Sequence, residues 1–226
     1  MYQTLVRRLY AWACECLYTE LAWSYDLVSW LVSLGRWHQW RTFAADYVQG
    51  THVLEIGFGT GELLPYLARR TAMTVGLERS PAMQHQTAQK LRKRRVDIPC
   101  VQARAQAMPF AAGAFDTIIA TFPAPYIVEP ATLQECARLL RQPARAVPNH
   151  ELAGGRLVIV GLWVALEERW WSRWVLLFYG RPSPQWVEQL SARLAVAGFH
   201  PVVNERADGP VRVGVVVAER IDQSAA

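Results

Sequence analysis

Residues 53–70 read VLEIGFGTGELLPYLARR: a short apolar run, then Gly57, Gly59 and Gly61, then a helical pattern ending in two arginines. Glycine loses more backbone freedom on folding than any other residue, so three of them between a strand and a helix mean that side chains are excluded there. Something must come close to this backbone. Outward from this turn the period alternates. THVLEIG is followed by the helical ELLPYLARR, and MTVGLE by SPAMQHQTAQKLRKRR; IPCVQA, FDTIIATF and GRLVIVGL are further strands, with the helix ATLQECARLLR between the last two. Strand and helix in alternation predict a mostly parallel sheet with helices on both faces. The stretch GFHPVVNERADGPVRVGVVVAER departs from this, because two β-rich runs around ADGP predict a hairpin and so an antiparallel last strand.

Upstream, residues 2–20 carry apolar side chains at helical spacing, and SYDLVSWLVSLGRWHQWRTFAADYV reads as a helix, a turn at Gly35 and another helix. A chain of 226 residues with 52% hydrophobic and 19% charged residues suits one sizeable folded domain and excludes a disordered one. We expect helical residues 1–49 to cover a core at 50–226, with an insertion at about 163–181. Between Arg69 and Arg104 stand nine basic residues against two acidic ones, so one face is basic. This reads as a solvated helix end, with an anionic membrane surface or nucleic acid as the other readings. Nucleic acid is not the partner expected. The four cysteines form no C-x-x-C pair and have no histidine at metal-ligand spacing, so buried thiols in a reducing cytoplasm are expected and no metal site. Glu15 ends the apolar run LYAWAC after six residues, and no stretch reaches the roughly 18 apolar residues of a spanning helix. Export and membrane crossing are not expected, and the cytoplasm is the expected location.

Ligands of an open parallel sheet lie at the carboxyl ends of its strands, which is where the glycine turn falls. A dinucleotide would ask for G-x-G-x-x-G, but the third position here is Glu62, whose charge at a helix start opposes a pyrophosphate. A tight turn with no ligand is the other reading. Gly57-x-Gly59-x-Gly61 after an acidic Glu55 instead suits a ligand bearing an ammonium and a carboxylate. VLEIGFGTGELLPYLA resembles motif I of the class I S-adenosylmethionine (SAM) dependent methyltransferases. VGLERSPAMQ and AQAMPFAAGAFDTIIATF resemble that family's next two motifs, in the expected order and spacing over residues 53–122. The resemblance implies a Rossmann-like, seven-stranded sheet under an N-terminal helical lid, with SAM as cofactor.

By the same resemblance, Glu55, Gly57, Gly59 and Gly61 would hold the methionine portion. Glu78, with Arg79 beside it, would hold the ribose, Ala105 and Gln106 the adenine edge, and Thr121 and Phe122 would flank the sulfonium. Glu78 as a mere surface acid and Thr121 as a packing residue are the plainer readings. The family's usual Asp before the adenine loop is Arg104 here, a side chain that can only donate. RLLRQPARAVPNHELAGGRLVIV is a further departure, an apparent insertion of about ten residues at the helix–strand junction. None of the five histidines falls near the fourth strand's end, which leaves Tyr126 as the polar candidate near the methyl group, against loop packing as the plainer role. YDLVSWLVSLGRWHQWR resembles the stretch before motif I in ubiquinone/menaquinone C-methyltransferases and, more loosely, bacterial phospholipid N-methyltransferases, with Tyr25 and Asp26 starting the lid. Trp163, Trp170, Trp171 and Trp174, interleaved with arginines, suit an apolar substrate's pocket or a peripheral membrane contact, or else a core helix. The expected activity is methyl transfer from SAM to a small or lipidic apolar acceptor. A non-catalytic SAM-binding sensor or partner is the alternative, and the sequence is silent on oligomeric state.

Overall fold

The computed structural model describes residues 30, 33, 35–143, 154–166 and 182–221. Tyr25, Asp26, the amphipathic stretch 2–20, the ten-residue insertion before the fifth strand, and Trp170, Trp171 and Trp174 lie outside the described residues. In chain order the elements are α1 (Trp37–Thr42), a 3-10 helix (Phe43–Tyr47), β1 (His52–Ile56), α2 (Leu64–Ala68), β2 (Met73–Glu78), α3 (Pro81–Arg94), β3 (Cys100–Gln102) and β4 (Thr117–Thr121). There follow a second 3-10 helix (Pro125–Val128), α4 (Pro130–Leu139), β5 (Arg156–Leu166), α5 (Pro184–Val196), β6 (Phe199–Asp208) and β7 (Val211–Arg220). The seven strands form one sheet in the order β3-β2-β1-β4-β5-β7-β6. Pairing is parallel from β3 to β5, and β7 runs antiparallel to both of its neighbours. The doubly wound sheet and the closing hairpin are as expected from the sequence.

Alternation along each strand separates two cores. Leu54, Ile56, Ile118, Ala120, Leu157 and Ile159 face α4 and α5, whose Leu133, Cys136, Leu139, Leu190 and Leu194 recur at helical spacing. Val53, Ile119, Val158, Val160, Val213 and Val215 face the other way, toward Trp40 and Ala44 of the N-terminal helices and Leu63 and Leu67 around α2. Helices therefore cover both faces. Helix starts carry their own local signals. Ser80 and Ser183 cap α3 and α5, each followed directly by proline at the first helical position.

β5 runs longer than the sequence suggested. Gly161, at φ +80°, sits in an irregularity between Val160 and Val164, after which the pairing with β7 resumes to Leu166. Trp163 is a buried strand residue; its indole lies over Gly214, where a Cβ would collide with it. Cys136 is buried and its thiol is pushed up to about 12 by burial, then by Glu135, while burial and Glu55 raise Cys100 to about 11. Both are free thiols.

Candidate cofactor site

The turn after β1 places its three glycines in left-handed backbone, at φ +67°, +55° and +69°. They do different things. A Cβ at Gly57 would collide with Tyr126 Oη, and one at Gly61 with the methyl group of Thr87 on α3. At Gly59 a Cβ would meet nothing within 4 Å. The Gly61 N–H is already given to Phe58 O (2.9 Å), so Gly61 is a packing glycine while Gly59 leaves an open cradle.

Glu78 closes one side of that cradle. It stands at the end of β2, is 7% exposed, and accepts hydrogen bonds from Gly59 N (3.1 Å) and Ser80 N (2.8 Å). Arg79 beside it points its side chain into solvent and uses its carbonyl to accept from Gln102. After β3, Arg104 is exposed and, among the described residues, pairs through its backbone, with Ala107 (3.0 Å); Ala105 is buried, and Gln106 donates to Glu129 (2.8 Å). The residues read from the sequence as the adenosine end therefore do gather at the carboxyl ends of β2 and β3.

Glu55 closes the other side. Its carboxylate lies on the face of β1 that α1 covers, 1% exposed, and its Oε2 meets no hydrogen-bond partner. Burial pushes its carboxyl up to about 8; nearby Arg41 pulls it down and Glu78 adds to the rise. Arg41, on α1, is 6% exposed, its Nε likewise buried without a partner. The two charges sense each other without forming an ion pair. Arg41 lies over the Trp37 ring (5.7 Å) and burial keeps the Glu55 carboxyl protonated near neutral pH, so the two are a buried donor and a latent carboxylate with hydrogen-bonding atoms to spare. Arg41 was missed as a site residue in the sequence reading, although it ends the quoted WHQWR; nothing local says that α1 folds back over β1.

At the end of β4, Thr121 is buried and Phe122 adopts φ +47°, a conformation strained for a bulky residue. Its ring turns away from the cradle, over Gly161, and stacks on Trp37 of α1 with centroids 3.9 Å apart. Tyr126 brings its hydroxyl against Gly57 from the opposite side of the turn. Glu62 is tied to α3 by Lys90 (2.8 Å) and Arg94 (2.7 Å). Burial opposes its ionisation, but these two partners outweigh it and hold the carboxyl below its ordinary value. Its charge is thus neutralised toward α3, and its repulsion of a pyrophosphate is weaker than the sequence suggested. Away from the turn, a cavity of ≈ 490 Å³ lies between β5, β6 and α5, lined by Trp163, Pro184, Val187, Glu188, Val203 and Glu205. It is on the α5 side of the sheet and does not contain the cradle.

The arrangement suits SAM on three observations: a glycine cradle a side chain would fill, a carboxylate at the end of β2, and a buried carboxyl and guanidinium that each keep a hydrogen-bonding atom unfilled. Comparison with known proteins agrees. The methyltransferase domain family matches residues 53–143. A demethylmenaquinone methyltransferase of Thermus thermophilus is 32% identical over 111 residues, 47% of this chain and 50% of that protein. A ubiquinone/menaquinone biosynthesis C-methyltransferase of Geotalea uraniireducens is 30% identical over 145 residues, 58% of this chain and 60% of that one. The chain thus spans half to three-fifths of these relatives' length. A SAM-dependent methyltransferase of Aquifex aeolicus shares the fold, with a TM-score of 0.55 at 18% identity over 82% of this chain and 92% of that one. Residues 53–143 thus resemble a methyltransferase domain, and the fold is that of SAM-dependent methyltransferases of known structure.

Proposed function

We propose that the protein binds SAM in this cradle and transfers its methyl group to a small or lipidic apolar acceptor, of the kind named for its quinone-methylating relatives. The observation that carries this is the pair of buried groups with unfilled hydrogen-bonding atoms, Glu55 Oε2 and Arg41 Nε, together with the open backbone of Gly59. Glu55 would receive the ammonium and Arg41 the carboxylate of the methionine end, each charge compensating one that the fold has already desolvated. Glu78 would exchange its backbone hydrogen bonds for the ribose hydroxyls, leaving Gly59 N–H free to face the ligand. Ala105, Gln106 and the backbone after β3 would bound the adenine. Bound SAM supplies an electrophilic methyl on a sulfonium, and the protein's part is to align an acceptor with it and keep the reacting atoms oriented. Thr121 and Tyr126 are the polar side chains that reach this region, and Phe122 with Trp37 walls it on the lid side. Cytoplasmic action on a membrane-soluble acceptor is part of this reading; among the described residues no helix is long and apolar enough to cross a membrane.

A SAM-binding protein without turnover is the second reading. It is favoured by Arg104, an exposed donor where the related enzymes' resemblance asks for an acceptor. Calorimetric titration with SAM and S-adenosylhomocysteine tests the cofactor, and formation of S-adenosylhomocysteine with demethylmenaquinone as acceptor tests the transfer. Binding without turnover on any quinone precursor supports the second reading. Absence of binding to either compound removes both.

A further inference from the structure

The helix that carries Arg41 is only six residues long, too short to hold its own orientation in water. Its placement has to come from what it touches. Two contacts converge on a single carboxylate: Asp208 accepts from Arg36 Nη1 through Oδ1 (2.8 Å) and from Trp40 Nε1 through Oδ2 (2.8 Å). Asp208 ends β6, at the tip of the hairpin. Because β7 runs antiparallel to both β5 and β6, that tip lies at the same edge of the sheet as the glycine turn. Gly209, at φ +57°, opens the two-residue turn to Val211 and brings the carboxylate under the helix. The Asp208 side chain is 11% exposed and Trp40 is 3% exposed, so the Trp40 contact is a partly desolvated, charge-assisted hydrogen bond, while Arg36 reaches the carboxylate from the surface. One turn before Trp40 and against its ring (centroids 6.3 Å), Trp37 rests on Phe122. Roll of α1 about its axis is thereby fixed, and Arg41, one residue after Trp40, is aimed at the face of β1 that carries Glu55.

We propose that Asp208 is a positioning residue of the cofactor site: through Trp40 and Arg36 it sets the roll of α1 that holds Arg41 opposite Glu55, and so governs recognition of the amino-acid end of the cofactor. This rests on the reading that SAM binds here. Asp208 itself touches neither the cradle nor Glu78, so its influence on the ligand is confined to the end that Arg41 meets. A general loosening of the fold would weaken every ligand alike. Two probes separate these effects: S-adenosylhomocysteine, which carries the zwitterionic amino-acid end, and 5′-methylthioadenosine, which has the adenosine and thioether but lacks that end.

The test is calorimetric titration of both probes into the wild-type chain and into Asp208→Ala, Asp208→Asn and Arg41→Ala, with thermal unfolding of each variant. Asp208→Ala is expected to weaken S-adenosylhomocysteine binding about five- to twentyfold, because the loss acts on the ligand only through the placement of Arg41. Methylthioadenosine should bind within about twofold of wild type, and Asp208→Asn, which keeps an oxygen for the Trp40 indole, should lie between. Arg41→Ala should show the same selective loss, at least as large. Equal weakening of both probes by Asp208→Asn, or no weakening of S-adenosylhomocysteine by a folded Asp208→Ala, overturns the positioning role while leaving the cofactor reading intact. If the wild-type chain binds neither probe, the cofactor reading itself fails and the proposal goes with it.

Discussion

The neighbouring strands β1 and β4 end at the same edge of the sheet and solve opposite problems there. After β1 the chain removes side chains: three glycines turn in left-handed backbone, and the middle one faces open space. After β4 it forces a phenylalanine into that same strained region and turns the ring outward to carry α1. One end is a cradle and the other a support for the cover. Positive φ is thus used twice for unlike purposes, and the residue that adopts it shows which. Glycine marks where a ligand or another element must approach, and a bulky residue marks where packing outweighs backbone strain.

Substitutions at the two strand ends should separate these purposes. Gly59→Val fills the cradle and meets an unfavourable φ, so SAM binding should fall by about 3 kcal/mol or more, measured by titration. Gly61→Val should instead show itself first in thermal unfolding, because its side chain collides with Thr87 on α3. A Gly61 variant that keeps its melting temperature but loses the ligand would merge the two roles separated here. Glu55 gives the next effect, through pH. Its folded carboxyl, near 8, is raised above the ordinary value of 4.5, so the native state holds a proton that the unfolded chain has lost. That advantage is complete below 4.5 and disappears as pH rises toward 8, making wild-type stability fall with pH across this window. Glu55→Gln should flatten the dependence by several kcal/mol across its span, read from denaturant midpoints at each pH; an unchanged slope would remove Glu55 as its source. Binding of an ammonium beside Glu55 favours the ionised form, so SAM affinity should rise with pH in the same window.

On the β4 side, Phe122→Ala should cost about 2–3 kcal/mol of stability through the lost contact with Trp37, toward the low end of large-to-small core substitutions. Phe122→Gly, which relieves the left-handed strain, should be milder than the alanine variant by about 0.5–1 kcal/mol in chemical denaturation. The reverse order would mean that the strain is not real. Glu78→Ala should weaken SAM by about 1.5–3 kcal/mol, the range for hydrogen bonds to a charged group. Unchanged affinity in a folded variant would take Glu78 out of the site. The smallest effect is expected at Arg104→Asp, which supplies an acceptor for the adenine amino group and should tighten SAM by about 0.5–1.5 kcal/mol. Weaker binding by that variant would mean that the guanidinium itself serves the ligand.

What could be read in advance follows the range of the interactions. The glycine turn after β1 and the acid at the end of β2 are local signals written within a few residues, and the structure has them at those strand ends. The ADGP hairpin is another. Contacts across long sequence separations were not legible. Glu62 looked like a bare charge at a helix start, but Lys90 and Arg94, about one helix further on, neutralise it. Arg41 carried no mark of its nearness to Glu55, because α1 is placed by packing against residues far away in sequence, those of β4, β5 and β7 among them. Gly161 read as the end of a strand, whereas a glycine inside a strand can equally let it bulge and continue, which is how Trp163 came to lie within β5.

The position of β7 has a consequence for how the chain is made. It is the last strand in sequence, yet it is seated between β5 and β6. During synthesis from the amino end, the outer edge of β5 has no lasting neighbour until residues 211–220 have emerged. Until then its row of unpaired amides is open to mispairing, and β6 has no place in the sheet. Strand insertion of this kind joins residues far apart in sequence and is slow relative to helix formation. The half of the sheet that holds Asp208 is therefore finished last, and α1 gains its anchor only when the rest of the domain is complete.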